Sequence, residues 1–286
     1  MRVALIGSNG FIAKQLSSLL NAEIIKMNRR PEGEEVYFDC SMLDDMDFTK
    51  FSGIDYALFL IADSSIERCE NDIERTEKLN VVYTLESVKK ISEQGCKVIF
   101  FSSDAVYGSK GGYLYEDDTC DPISNYGKMK LYVENKVKDN DNISVIRLPY
   151  VFSWYDKFTS YFRGCVDNGV TAEVYDSFSR DVISIMDLAK IINWKLVNWD
   201  KYPLINASGG VLISRVDIAE ALNFVLKKTN TFKIVEMPES FNLFRPSVTD
   251  MKSHYVHSIL VDYGKASFVE KVKEEYYRVN KMEELK

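Results

Sequence analysis

The chain has 286 residues, 46% of them hydrophobic, with a formal net charge of -7 and a pI near 5.1. That acidic balance argues against nonspecific binding to nucleic acid, which needs clustered Lys and Arg to neutralise phosphates; a local basic site for a small anion is compatible with it. The size suits one body with two lobes, and the five cysteines (Cys40, Cys69, Cys96, Cys120, Cys165) have the spacing of neither a zinc site nor a disulfide framework.

The apolar run that opens the chain is too short for a signal-peptide core, and no stretch of about eighteen apolar residues follows. A soluble cytoplasmic protein is expected, with no membrane or nucleic-acid partner and no resident metal. From the start, short apolar runs alternate with amphipathic stretches. Residues 3–6 predict a strand, 11–20 a helix, 23–27 and 56–61 strands, 80–92 a helix, 97–101 a strand, 126–137 a helix and 143–148 a strand. Strands alternating with helices imply βαβ units and a parallel sheet covered on both faces, a doubly wound α/β domain placed at residues 1–150.

After Pro149 the rhythm is irregular, with a helix at 187–198, a short strand at 204–206 and a helix at 214–227. Ser214 reads as an N-cap and Asp217 as the acid of a capping box. Residues 151–286 are expected to form a smaller α/β substrate lobe, with elements free to return to the first domain. No Pro/Gly/Ser linker separates the two, so a tight junction with a ligand cleft is expected. The Lys/Glu-rich tail after Lys271 alternates in charge and reads as a solvated helix.

Gly7-Ser8-Asn9-Gly10-Phe11-Ile12-Ala13 follows the first strand and opens the first helix. The first glycine permits a tight turn and the second lets the backbone approach a pyrophosphate. N–H groups at the start of the helix meet the anion, and Ala13 is small enough for close packing. At the end of the second strand an acid would grip the adenosine ribose 2′-OH. Here Asn28 stands in its place, followed by Arg29 and Arg30. A 2′-phosphate would meet cations there, so NADPH is expected in preference to NADH, although arginines in this position also suit a solvated loop. Asp39, beside Cys40, reads either as a partner for the adenine amino group or as a turn residue.

Tyr126 and Lys130 stand four apart on one helix face. A free tyrosine, with a pKa of about 10, exchanges protons poorly at neutral pH unless a cation is held nearby, and Lys130 is the candidate. The strand ending Phe101-Ser102-Ser103-Asp104 supplies hydroxyls at the crevice, and Ser103 would stand beside Tyr126.

Together these residues resemble the extended short-chain dehydrogenase/reductase superfamily, which includes the NAD-dependent epimerases and dehydratases. The markers are the Gly7, Gly10, Ala13 turn, Asp39, Ile61-Ala62, Asn80, Ser102-Ser103, Tyr126 with Lys130, and Arg147-Leu148-Pro149-Tyr150. The resemblance implies a Rossmann-type sheet and catalysis by Ser103, Tyr126 and Lys130. It implies support of the site by Asn80, and a nicotinamide contact after Arg147, at Pro149. The stretch from Arg180 to Asp187 and the pair Arg245-Pro246 also resemble family segments. They imply that Arg180 and Arg245 bind a nucleotide diphosphate, the alternative being ion pairs that close the lobe interface. A homodimer through the helices around Asn80 and Tyr126 is implied too, with Val81, Leu85, Val88, Leu131 and Val133 as its apolar positions.

Within the family, dehydratases follow the site hydroxyl with Asp-Glu, whereas Ser103 is followed by Asp104 and Ala105. Epimerase-reductases pair a cysteine with a histidine, but His254 and His257 lie far along the chain. The expectation is an NADPH-dependent reductase of a 4-keto sugar nucleotide in activated-sugar synthesis for surface polysaccharide, with Ser103, Asp104 and Tyr126 on the sugar. An NAD-dependent 4-epimerase is the alternative, and a non-enzymatic dinucleotide sensor a more distant one.

Overall fold

The computed structural model describes residues 1–176, 178–238 and 243–284. Its centre is a seven-stranded sheet in the order β11-β7-β5-β4-β1-β2-β3, parallel throughout. The strands are β1 (Arg2–Ile6), β2 (Glu23–Asn28), β3 (Val36–Tyr37), β4 (Tyr56–Phe59), β5 (Lys97–Ser103), β7 (Ile143–Leu148) and β11 (Leu204–Asn206). Alternate side chains feed two cores. Val3, Leu5, Leu58, Ile99 and Ile146 enter one; Ala4, Ile6, Ala57, Phe59, Val98 and Phe100 enter the other. This two-sided burial is why the strands read as continuous apolar runs.

Helix α1 (Phe11–Leu16) covers the first face, and α4 (Thr84–Glu93) and α5 (Asn125–Val137) the second. Helix α1 stops short of the expected residue 20, where Ser17 Oγ turns back to donate to Lys14 O at 2.8 Å. Between α1 and α4 come α2 (Ile66–Asn71), α3 (Ile73–Glu77) and a π-helical turn, Lys78–Tyr83, that holds Asn80. Val81, Val88 and Val133 lie against the sheet inside the chain.

Later residues return to this domain. Helix α7 (Ile185–Val197) joins α1 in the first core, and β11 pairs with β7 through Leu204, Ile205 and Asn206. The second lobe is built on a sheet of β12 (Leu212–Ser214), β10 (Ser179–Ser184), β14 (Val248–Met251) and β6 (Tyr113–Leu114), with β8 (Tyr150–Phe152) also on β10. A separate pair, β9 (Ala172–Tyr175) and β13 (Phe232–Val235), lies beside α6 (Lys157–Asp167) and α8 (Arg215–Leu226). Ser214 and Asp217 form the expected capping box of α8.

The tail corrects one expectation. Helix α9 (Phe268–Glu284) is not a solvated helix: Phe268, Val272 and Val279 are buried in the second lobe's core. Glu275 is buried on the same side, accepting from Ser153 Oγ at 3.0 Å and Trp154 N at 3.2 Å and pairing with Arg278 at 2.7 Å. Alternating charge on the outer face concealed this stripe. Among the described residues no helix is long and apolar enough to cross a membrane.

Candidate active site

The strand order reverses between β1 and β4, and their carboxyl ends open the crevice in which such sheets bind ligands. At β1, the N–H groups of Gly7 and Ser8 donate to Met27 O at 2.8 and 3.1 Å, and Gly10 N donates to Gly7 O at 2.8 Å. Gly7 has φ +85°, and a Cβ there would lie 3.1 Å from Ile61 Cγ1. The turn and the end of β4 therefore touch through a space that only glycine leaves open. Asn9 is exposed, Phe11 and Ile12 are half-buried, and Ala13 packs in the core.

The end of β2 is more occupied than the sequence suggests. Asn28 is buried; its Nδ2 donates to Ser8 Oγ at 2.9 Å and to Glu35 Oε2 at 2.7 Å, and its Oδ1 accepts from Arg30 N at 2.8 Å. Arg29 and Arg30 are exposed. The bond from Asn28 holds the Glu35 carboxyl below the usual range, with help from the backbone at Glu32 and from Lys26 and Lys14. Asp39 Oδ1 closes a turn on Ser41 N and Oγ at 2.9 and 2.7 Å, and the buried Cys40 thiol is pushed up to about 11, chiefly by burial.

Beyond β4, Ile61 and Ala62 lead to Asp63, whose backbone is clamped by Asn80. Asp63 N donates to Asn80 Oδ1 at 2.8 Å, and Asn80 Nδ2 to Asp63 O at 2.9 Å. The Asp63 carboxylate pairs with Arg68 at 2.7 Å, which lowers its proton affinity.

Ser103 ends β5. Its Oγ donates to Asp104 Oδ1 at 3.0 Å and accepts from Ala105 N at 3.2 Å. Ser102, one residue earlier, turns a buried Oγ that has no partner among the described residues. Helix α5 is aimed from its first turn. Ser124 caps it by accepting from Gly127 N at 3.1 Å, and Glu70 accepts from Asn125 N and Nδ2, each at 2.7 Å. Gly127 lets the helix approach closely, since a Cβ there would lie 2.4 Å from Ala105 O.

This start brings Tyr126 within hydrogen-bonding reach of Ser103. Burial, first, and then the Asp104 carboxylate push the Tyr126 hydroxyl above the usual tyrosine range, against the opposing bond from Ser103. Lys130 is buried, its Nζ donates to Phe101 O at 2.9 Å, and it lies 5.8 Å from the Tyr126 ring centre. Desolvation draws the ammonium down to about 8.

Pro149 is buried between β7 and β8. Arg147 before it is enclosed by Glu134, 2.7 Å away, and the Tyr107 hydroxyl, also at 2.7 Å. The two second-lobe arginines reach across to the first domain. Arg180 Nη1 lies 3.0 Å from Asp104 Oδ2 and 3.4 Å from Thr249 Oγ1; Arg245 pairs with Glu67.

The model of the NAD dependent epimerase/dehydratase family matches residues 3–206. The chain belongs to that family. A curated relative, "Probable low-salt glycan biosynthesis reductase Agl14" of Haloferax volcanii, is 25% identical over 157 residues, 51% of this chain and 52% of its own length. The chain thus spans about half of that relative. Among solved structures, a hypothetical dTDP-4-dehydrorhamnose reductase from Sulfolobus tokodaii superposes with a TM-score of 0.80 at 24% identity, over 95% of this chain and 99% of that one. UDP-N-acetylglucosamine 4-epimerase from Methanobrevibacter ruminantium, in complex with UDP-N-acetylmuramic acid, also gives 0.80, at 20% identity over 96% of each chain. Both likenesses are of fold.

A nicotinamide dinucleotide is the cofactor that membership of this family brings, and the residues present fit one. A Cβ at Gly7 would crowd the turn against Ile61, and the Ser102 hydroxyl has no partner among the described residues. Four contributors lie outside the family markers: Glu35, Asp63, Glu70 and Gly127. Of these only Gly127 carries a signal in the sequence, as a glycine inside a helical pattern, which marks a close approach.

Proposed function

We propose that this protein is a cytoplasmic reductase of a keto sugar nucleotide, acting on the 4-keto group of a deoxysugar in activated-sugar synthesis. The observation that carries this reading is the buried Tyr126 hydroxyl held within hydrogen-bonding reach of Ser103 at the carboxyl end of β5, where it can give a proton to a carbonyl oxygen. Burial and the nearby Asp104 and Asp63 carboxylates favour the neutral phenol. A reductase needs an acid that gives its proton to the carbonyl oxygen as it becomes an alkoxide. The reductase names of two similar proteins agree with this direction.

Gly7, Gly10, Phe11, Ile12, Ile61, Ala62, Ser102, Lys130 and Pro149 would hold the dinucleotide, which in reduced form supplies the hydride. Tyr126 Oη donates its proton to the substrate oxygen. Ser103 turns its hydroxyl from Asp104 to that oxygen and stabilises the developing charge. Lys130 Nζ, anchored on Phe101 O, keeps further N–H donors for ribose hydroxyls. Arg180 and Arg245 exchange Asp104 and Glu67 for the substrate diphosphate. The reductant is NADH or NADPH: Arg29 and Arg30 favour the 2′-phosphate, and Glu35 opposes it.

Tyr126→Phe should lower kcat for reduction of a 4-keto sugar nucleotide by roughly a thousandfold while NADH or NADPH still binds, as followed by nicotinamide fluorescence. Near-normal turnover would sink the reading. The Glu35 carboxylate, hydrogen-bonded to Asn28 at the end of β2, favours a second reading, a 4-epimerase that retains NAD. Stoichiometric oxidation of added cofactor marks the reductase; interconversion of 4-epimers without added cofactor marks the epimerase. A homodimer through the π-helical turn before α4 and through α5 would cover Val82 and Tyr132, each 49% exposed.

A further inference from the structure

The acid missing from position 28 is restored from elsewhere in the chain. In a sheet of this order, the side chain at the carboxyl end of β2 faces the adenosine ribose, and its charge decides between a 2′-hydroxyl and a 2′-phosphate. Asn28 occupies that position, and its bond to Ser8 Oγ at 2.9 Å places its amide against the glycine turn. The other hydrogen of the same amide goes to Glu35 Oε2 at 2.7 Å, and Glu32 N donates to that oxygen at 3.2 Å. The carboxylate is therefore one hydrogen bond removed from the place of the missing acid. Its second oxygen, Oε1, has no hydrogen-bond partner among the described residues, and the residue is only half-buried.

We infer that Glu35, held on Asn28, selects the cofactor and makes this chain prefer NAD(H) to NADP(H). The arginines that suggested the opposite do not make the segment cationic, because residues 29–35 carry two arginines and three glutamates. Their side chains are exposed, so solvent and salt weaken them. Glu35 is fixed by two donors beside the turn, where a 2′-phosphate would meet it as a like charge, and such a juxtaposition is costly. The carboxylate keeps its charge at neutral pH because both donors stabilise the anion.

The inference rests on the dinucleotide reading and not on the identity of the sugar, so binding can test it without a substrate. Dissociation constants of NAD⁺ and NADP⁺, and of 5′-AMP and 2′,5′-ADP, would be measured by calorimetry for the wild-type chain, Glu35→Gln and Asn28→Ala. The wild type should bind the unphosphorylated member of each pair roughly tenfold or more tightly. Glu35→Gln keeps an acceptor for Asn28 and removes the charge, and should abolish most of that ratio through tighter binding of the 2′-phosphates. Asn28→Ala releases the carboxylate and should move the ratio the same way. Adding Arg29→Ala and Arg30→Ala to Glu35→Gln should remove the gained NADP⁺ affinity. Equal or tighter binding of NADP⁺ by the wild type, or an unchanged ratio in Glu35→Gln, overturns the inference while leaving the dinucleotide reading intact. Failure to bind either dinucleotide overturns both.

Discussion

Gly127 directly follows Tyr126, and a Cβ there would collide with the Ala105 backbone, 2.4 Å from its O, and with the Pro122 ring, 2.9 Å from its Cβ. Neither atom is the free end of a flexible side chain. Gly127→Ala should therefore push the first turn of α5 off the loop that follows Ser103 and draw Tyr126 away from its partner. A displacement of about 1 Å at a reacting group costs on the order of a hundredfold in rate. The expected outcome is a kcat reduced by about that factor with a lower Tm, measured by steady-state assay and thermal unfolding. Wild-type turnover would show that this contact does not aim the tyrosine. Ser103, Tyr126 and Lys130 are legible in the sequence because residue type and spacing carry their chemistry. The groups that aim them are not. Glu70 reaches Asn125 across 55 residues, and Glu35 reaches Asn28 from a loop, so neither belongs to any local pattern. The proton affinity of the Tyr126 hydroxyl is not set by local sequence either. It depends on burial and on Asp104, and Lys130, though correctly placed on the helix, turns to a backbone carbonyl.

Helix α9 shows the limit of pattern reading for whole elements. Its outer face alternates in charge, while Val272, Glu275 and Val279 form a buried stripe that includes a carboxylate. Glu275 serves three groups there: Ser153 Oγ, Trp154 N and Arg278. Glu275→Ala would leave the backbone donor and the arginine without their acceptor in a site closed to water. The expected loss is about 3 kcal/mol, read as a shifted midpoint in urea unfolding; a change within experimental error would mean that water replaces the carboxylate. By contrast, β1, β4, β5 and β7 are legible because helices cover both sides of the sheet and force long apolar runs. Of the second-lobe strands, β9, β12 and β13 have only three or four residues each, and β12 and β13 bury none of theirs fully, so they lack the apolar run that marks a strand. The capping box of α8 is legible because it is complete within four residues, Ser214 to Asp217.

At the scale of the whole molecule, the sheet is finished late. Strand β7 gains its outer neighbour only from residues 204–206, and α7, which covers part of one face, comes from residues 185–197. A chain ending at residue 150 would lack both. It would expose the β7 edge and the apolar floor made by Val3, Leu5 and Leu58, a template for pairing with other chains. Such a fragment should elute as aggregate in size-exclusion chromatography under conditions where the full chain does not; a monomeric fragment with native hydrogen-exchange protection would show that the edge needs no cover. The last helix ties back as well, through Arg278 Nη2 to Gln15 Oε1 on α1 at 2.9 Å. The return of β11 also sets how such a protein can be recombined. A chimera that takes everything after residue 150 from a homologue imports a foreign edge strand and a foreign covering helix along with the new lobe. One whose crossovers leave residues 185–206 with the parent sheet keeps the native edge strand and covering helix.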